Sequence, residues 1–229
     1  MKQSLFDIVI IGAGVIGHSI AFRLKQCRPD LKLAVLGDPM NSLMASRAAA
    51  GMLAPFGECT KSDRFFRFCR DSLLQYPAFI KDLISISDIP VHLSMKGSLI
   101  PSSSLANDWE KRIRFFREEN IPHEIWSPAR CQQLAPALAE SCGEVMWVGE
   151  GQVNNREMHD ALVAASRKLG VEILEKNVTG FVHDSSMVEA AVTSTLEVRS
   201  QKFILASGSW SSQLGDALDV SLPLKPIKG

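Results

Sequence analysis

Three glycines near the amino terminus, Gly12, Gly14 and Gly17, fall in the order G-x-G-x-x-G. Glycines at this spacing suit a phosphate: the first permits a tight turn, the second lets backbone approach a pyrophosphate, and the third lets a helix pack closely on a strand. The residues around them agree. Ile8, Val9, Ile10 and Ile11 form a continuous β-branched run, which suits a strand covered on both faces. Behind the glycines Ile16, Ile20, Leu24 and Cys27 recur at steps of four, four and three. This spacing predicts a helix with that face inward and its free N–H groups toward the phosphates. Gly12, Ala13, Gly14, Val15, Ile16 and Gly17 are therefore read as a dinucleotide cradle. The alternative is a tight strand-to-helix turn with no ligand.

Other chemistry-bearing residues are less organised. His18, His92, His123, His159 and His183 never stand at metal-ligand spacing, and each is read as structural or exposed. Cys27, Cys59, Cys69, Cys131 and Cys142 are odd in number and contain no C-x-x-C pair, so they read as reduced thiols, mostly core fillers, of a cytosolic protein. Lys+Arg and Asp+Glu both number 25, which argues against a nucleic-acid or anionic-membrane surface. Lys2 and the apolar run after it resemble a leader, but Asp7 interrupts the run and the glycine pattern occupies the place of a cleavage site. No apolar stretch approaches the ~20 residues that span a bilayer. The expected location is cytoplasmic, with neither a nucleic-acid nor a membrane partner.

The elements that must position the cradle follow in order. Leu33–Leu36 reads as a second buried strand, completing a βαβ unit. At its end, where a nucleotide-binding unit usually carries a ribose-binding acid, stands Gly37, with Asp38 next. Asp38 either serves the ribose or is an exposed loop residue before Pro39. From Ser42 to Gly57 small residues crowd together, either as backbone passing close to a flat group or as an alanine-rich helical turn. A helix capped by Asp63 is expected to turn Phe65, Phe68, Cys69, Ser72 and Tyr76 to one face, and Pro77 to begin another with Phe79, Leu83 and Ile86 inward. Composition shifts near Ile89 toward proline-punctuated short segments, with strands at Ser98–Ile100 and Val145–Val148 and a charged helix over Asp108–Glu119. Asn155 then caps a helix burying Met158, Leu162, Ala165 and Leu169, which Gly170 ends. A third buried strand, Val171–Leu174, precedes a three-stranded meander (Val178–Val182, Val188–Val192, Leu196–Val198). A last strand runs over Phe203–Gly208.

Two segments, G-A-G-V-I-G and S-R-A-A-A-G-M-L-A-P-F-G-E-C, closely resemble the glycine oxidase (ThiO) branch of the D-amino-acid oxidase family of FAD-dependent oxidoreductases. G-x-V-N-N-R from Gly151 and A-S-G-x-W-S from Ala206 match the same family in order. The resemblance implies an α/β fold: a Rossmann-like FAD-binding domain, with a parallel sheet, helices and a three-stranded β-meander, and part of an inserted α+β substrate domain. The expected division is residues 1–88 and 149–218 for the FAD-binding domain, and 89–148 and 219–229 for the substrate domain. The resemblance places Ser46, Arg47, Ala49, Ala50, Gly51 and Met52 along the isoalloxazine and ribityl chain, and Val178 at the adenine edge. Ala206, Ser207, Gly208 and Trp210 fall near the FAD phosphates. The family often has Ser, Thr or Trp where Arg47 stands, which leaves that side chain's role open.

The implied activity is oxidation of a small amine or amino acid such as glycine or sarcosine, with molecular oxygen as acceptor and hydrogen peroxide released. In thiamine synthesis the imine of glycine is itself the product. The family binds the substrate carboxylate with arginine and tyrosine side chains that lie outside residues 1–229, so no catalytic residue is named. Three readings stand: the amino-terminal part of such an oxidase, a truncated or split FAD-binding module that is inactive alone, and an NAD(P)-linked dehydrogenase. Under the second, the chain alone binds FAD weakly or not at all and shows no glycine-dependent peroxide. A homo-oligomer, or a separate chain supplying the second half, are the partners left open.

Overall fold

Strand β1, Phe6–Ile11, lies inside a six-stranded sheet in the computed structural model, which describes residues 5–41, 44–105, 108–138, 143–184 and 187–225. Ser42, Cys142 and Pro226–Gly229 thus lie outside the described residues. By Cα proximity the chain divides into two units. The first holds residues 1–49, 82–91 and 155–229, and the second 50–81 and 92–154.

In the first unit β1 pairs in parallel with β2 (Leu33–Leu36) and with β12 (Glu197–Leu205), and β2 pairs in parallel with β9 (Glu172–Leu174). Both faces of the sheet are covered, as the apolar runs predict. Val9, Ile11, Ala34 and Leu36 enter one cluster with Val198 and Leu214, while Ile10, Leu33 and Val35 enter another with Ala21 and Val171. Strands β10 (Val178–His183) and β11 (Val188–Thr193) complete the meander against the amino-terminal part of β12. The third meander strand and the last apolar strand, expected separately, are one nine-residue strand. Its early residues pair with β11 and its later ones with β1, so the meander is joined to the parallel sheet by continuous backbone.

Two helices bury one face of this sheet. Helix α1 spans Val15–Cys27 and α7 spans Asn155–Lys168. The inward face of α1 only partly matches the one its apolar spacing predicts: Ile20 and Leu24 pack against the core, but Ile16 and Cys27 are exposed, and Gly17, His18, Ala21, Phe22 and Lys25 are the buried positions. Polar residues can take buried places when they find partners. Lys25 Nζ donates to Pro29 O and Leu31 O, and His18 Nδ1 lies 3.0 Å from Ser166 Oγ on α7. Of the expected stripe of α7, Met158, Leu162 and Ala165 are buried, together with His159 and Ser166, whereas Leu169 lies just past the helix and is half-buried; Asn155, expected as its cap, is its first residue. Gly170 ends that helix with a φ of 77°.

The second unit carries two three-stranded antiparallel sheets. One orders β3 (Met52–Leu53), β8 (Gly151–Val153) and β4 (Leu93–Ser94), and the other β5 (Ser98–Pro101), β7 (Val145–Val148) and β6 (His123–Trp126). Short helix α3 (Pro55–Glu58), α5 (Trp109–Glu118) and α6 (Pro128–Leu134) accompany them. A helix of 24 residues, α4 (Arg64–Ser87), replaces the two expected on either side of Pro77. Asp63 caps it, accepting from Phe66 N at 2.9 Å. Phe65 and Phe68, expected inward, are exposed, and the buried positions are Phe66, Leu73, Ile80 and Leu83. Phe66 and Leu73 join Phe56, Ile113, Phe116, Met146 and Val148 in the core of this unit. For that reason residues 50–81 group with the second unit. Residues 219–225 group with the first unit, where Val220 N donates to Gly215 O. Of the described cysteines Cys131 is buried and Cys59 is half-buried against the core of this unit, so the core-filler reading holds for those two. No helix among the described residues is long and apolar enough to cross a membrane.

Two predictions follow from this packing. Phe66 is 0% exposed, so Phe66→Ala is expected to cost about 3–5 kcal/mol, read as a lowered urea midpoint by circular dichroism; a loss under ~1 kcal/mol would contradict its place in the core. Burial, helped by the neighbouring His159 and by the charge of Arg167, pushes the His18 pKa from 6.5 down to about 3. The unfolded chain then takes up a proton near pH 6.5 that the native chain refuses. Stability from this group is therefore complete above pH 6.5 and is lost as pH falls, by up to about 1.4 kcal/mol per pH unit. His18→Leu should flatten the pH dependence of the urea midpoint between about pH 6.5 and 4.5, and an unchanged slope would refute the assignment.

Candidate dinucleotide-binding site

The carboxyl edge of the parallel strands is built as a row of hydrogen bonds that continues the sheet register beyond the strands. Gly37 N donates to Leu174 O at 3.0 Å, Gly12 N to Leu36 O at 2.8 Å, and Ala206 N to Ile11 O at 2.7 Å. Each loop thus leaves its strand one step late, and the loops lie against one another. A Cβ on Gly12 would stand 2.2 Å from Ala206 O, one on Gly17 1.9 Å from Gly12 O, and one on Gly37 2.9 Å from Ala13 N. These contacts are with backbone, which cannot move aside. Gly12 and Gly37 also take φ of 122° and 143°, a region that favours glycine.

Gly14 differs. A Cβ there would meet only Ser46 Oγ, at 3.0 Å, and otherwise open space. The first turn of α1 carries no acidic side chain, and its leading N–H groups have no acceptor within the helix. Val15 N donates to Ser46 Oγ at 3.0 Å. Beside this turn Ile16 is exposed, and Ala13 is buried under it. Past β12, Ser207 leads into a 3-10 turn over Gly208–Trp210 and a short helix, α8 (Ser211–Asp216). Gly208 has a φ of 55° with nothing near its Cβ direction, and Trp210 is 46% exposed. Backbone N–H groups with an open approach, a helix start free of acids and small residues on either side fit a dinucleotide pyrophosphate.

The remaining expected residues fall as follows. Asp38 is exposed, and its Oδ1 accepts from Met40 N at 2.8 Å. The segment from Ser46 begins inside one helical turn, α2 (Ala45–Ala48), after which Ala49 is exposed. The Arg47 side chain is engaged: Nη1 donates to Asp160 Oδ1 at 2.5 Å and lies 3.4 Å from His159 Nδ1. Val178 opens β10, half-buried against the cluster that contains Ile11 and Leu36. In the second unit Gly51 takes a φ of 78° and its carbonyl accepts from Val153 N, while Gln152 Nε2 donates to Ala50 O. Met52 pairs with Gln152 across β3 and β8, with its side chain 61% exposed.

Reading the sequence missed two supports of this segment. The first turn of α7 holds α2, with Asn155 Nδ2 donating to Ser46 O at 2.6 Å and Arg156 Nε to Arg47 O at 3.2 Å. On the same helix His159 Nε2 lies 2.8 Å from Ala13 O. Burial holds the His159 pKa below its ordinary value, with the Arg47 charge adding to the effect and the Ala13 bond and Asp160 opposing it. In the second unit Glu150, 1% exposed, accepts from Phe56 N and Gly57 N at 2.6 Å each and from Ser98 Oγ. Arg112 donates to Phe56 O, Gly57 O and Cys59 O. One buried anion and one buried cation thus hold the two ends of α3, directly after Met52. The only sequence signal was charge in apolar surroundings, as for Glu150 between Gly149 and Gly151.

Comparison with known proteins agrees with this geometry. The DAO family, described as FAD dependent oxidoreductase, matches residues 7–229. The bifunctional protein ThiO/ThiG of Trichormus variabilis is 31% identical over 226 residues, covering 97% of this chain and 33% of that protein. The glycine oxidase of Geobacillus kaustophilus is 28% identical over 228 residues, covering 98% of this chain and 60% of that protein. The crystal structure of glycine oxidase from that organism superposes with a TM-score of 0.87 over 95% of this chain and 59% of its own, at 28% identity. L-α-glycerophosphate oxidase from Mycoplasma pneumoniae, solved with FAD bound, shares the fold at a TM-score of 0.75 and 16% identity, over 94% of this chain and 57% of its own. The chain therefore spans about three fifths of the glycine oxidases it matches and a third of the bifunctional proteins. The family match also sets aside the nicotinamide alternative left open by the three glycines. Matched over all but its first six residues, the chain belongs to the DAO family of FAD-dependent oxidoreductases.

Proposed function

We propose that this chain forms the FAD-binding part of an amine oxidase that acts on glycine or a similarly small amine such as sarcosine. The observation that carries the FAD reading is Gly14, whose backbone is open where the neighbouring glycines are closed by packing. Ser46 would stand at the same opening, its hydroxyl already turned to Val15 N. The substrate class rests on the similarity to glycine oxidases.

Bound FAD would accept a hydride equivalent from the amine's α-carbon, leaving an imine that water hydrolyses, and would return the electrons to molecular oxygen as hydrogen peroxide. Within this chain the proposed roles are positional. Gly12, Ala13, Gly14, Val15, Ile16 and Gly17 present backbone to the pyrophosphate. Ala206, Ser207, Gly208 and Trp210 form the neighbouring wall. Ser46 and Ala49 of the first unit, and Ala50, Gly51 and Met52 of the second, are the proposed flavin contacts, and Val178 the proposed adenine contact. Arg47 acts through its backbone, because its side chain is held by Asp160. Asp38 has an exposed carboxylate that can still accept from a ribose hydroxyl. The similarity to ThiO/ThiG proteins supports a place in thiamine synthesis, with the imine of glycine as the product passed on.

Two measurements test this reading. FAD titrated into the purified chain is expected to lose fluorescence saturably, without competition from NAD, and the absence of a saturable change would overturn it. Gly14→Val is expected to weaken that binding by about tenfold or more at unchanged thermal stability, because the side chain would fill the phosphate's approach. Full binding by the variant would show the cofactor to be misplaced. In the flavin-loaded enzyme, anaerobic glycine or sarcosine should bleach the visible flavin band. A band that bleaches only with a larger amine would correct the substrate class.

A further inference from the structure

His159 stands where two parts of the cradle meet on α7. Its Nε2 lies 2.8 Å from Ala13 O, which can only accept, so Nε2 carries the proton and donates. Its Nδ1 lies 3.4 Å from Arg47 Nη1, which can only donate, so Nδ1 offers its lone pair. The two partners select one neutral tautomer of the ring. The His18 and His159 rings meet edge to face with centroids 5.8 Å apart, and Asp160 of the same helix engages the Arg47 guanidinium. A second proton, on Nδ1, would face Arg47.

The Ala13 carbonyl matters because of what it is bonded to. The carbonyl of Ala13 and the N–H of Gly14 belong to one planar trans peptide, so they point in opposite directions. Fixing the carbonyl toward the buried His159 ring aims the Gly14 N–H the opposite way, away from that ring. Through its other nitrogen the same ring touches the segment that begins at Ser46, and Ser46 Oγ closes the circuit on Val15 N.

We propose that His159 is a positioning residue for the FAD cradle: it holds the Ala13 carbonyl and the Arg47 guanidinium on the two nitrogens of one buried ring, and so sets the direction of the Gly14 N–H and the spacing between the glycine loop and Ser46. This rests on the FAD reading of the same site. His159 would touch neither cofactor nor substrate.

The test compares the wild-type chain with His159→Leu, which removes both bonds, and His159→Gln, which can donate to Ala13 O and accept from Arg47. FAD affinity by fluorescence titration is expected to fall about tenfold or more in the leucine variant and to return to within about threefold in the glutamine variant. Amide exchange at Gly14–Gly17 should speed up in the leucine variant alone. Equal FAD affinity in the leucine variant and wild type overturns the proposal. A wild-type chain that binds no FAD defeats the cofactor reading, and the exchange data then decide the positioning role: unchanged exchange in the leucine variant refutes it. If the leucine variant does not fold, a long-range ¹⁵N–¹H spectrum of the wild type decides, since protonated Nε2 with bare Nδ1 supports the proposal and the opposite tautomer overturns it.

Discussion

The hydrogen bond from Gly12 N to Leu36 O extends the pairing of β1 and β2 one residue past the strands, and the cradle depends on that extra step. It brings the start of the glycine loop level with the end of β12, where Ala206 N bonds Ile11 O. Backbone then lies on backbone, and the distances leave no room for a side chain at Gly12 or Gly17. A substitution there cannot be absorbed by rotating a rotamer, because the atoms it would strike are carbonyls of the sheet edge. The same closeness delivers the first turn of α1 to the edge at a fixed height. The cradle is therefore a consequence of strand register more than of loop sequence.

Both units solve the cost of burying polar groups by giving them backbone partners. Arg112 meets three carbonyls and Glu150 two amides and a hydroxyl, so each charged side chain is held mainly by backbone dipoles. Such a group stabilises only while all its bonds are made, and truncating it leaves several donors or acceptors buried and bare. The first unit uses neutral groups for the same end. His18 leaves Nε2 as the buried side-chain polar atom without a hydrogen bond among the described residues, a local loss accepted to keep α1 and α7 in close contact. Polar groups at these places fix geometry more narrowly than apolar side chains would.

Much of this was legible in the sequence. The apolar runs at Ile8–Ile11 and Leu33–Leu36 pointed to the sheet, Gly170 to the end of α7, and the glycine order to a tight strand-to-helix turn. What was not legible came from long-range contacts. Helix α1 buries His18 and Lys25 because Ser166, Pro29 and Leu31 offer partners, and periodicity sees only apolar types. Proline at position 77 suggested a break, since it removes one helical hydrogen bond. The helix persists because Phe66, Leu73, Ile80 and Leu83 bury one stripe on both sides of it. Phe65 and Phe68 face outward for the complementary reason, as Phe66 and Leu73 occupy the core. The role of α7 in holding Ser46, Arg47 and Ala13 lay beyond reach, because it joins residues more than a hundred positions apart.

The same register argument explains the missing acid at the end of β2. Gly37 stands where a ribose-binding carboxylate is usual, and a Cβ there would lie 2.9 Å from Ala13 N at a φ that disfavours any side chain. A carboxylate at that position and a glycine loop this close to β2 exclude each other. The chain has the close loop, so an acid can only come one residue later, and Asp38 is that residue. Its Oδ1 is drawn back to Met40 N, which holds the carboxylate in its own loop at the surface. On the proposed FAD reading, a ribose would be met from there by one exposed group on a short turn, and the pyrophosphate by backbone locked to the sheet. Grip on the cofactor would then be concentrated at the phosphates, with the Ala13–Gly14 peptide carrying more of the binding than it would beside an acid at position 37.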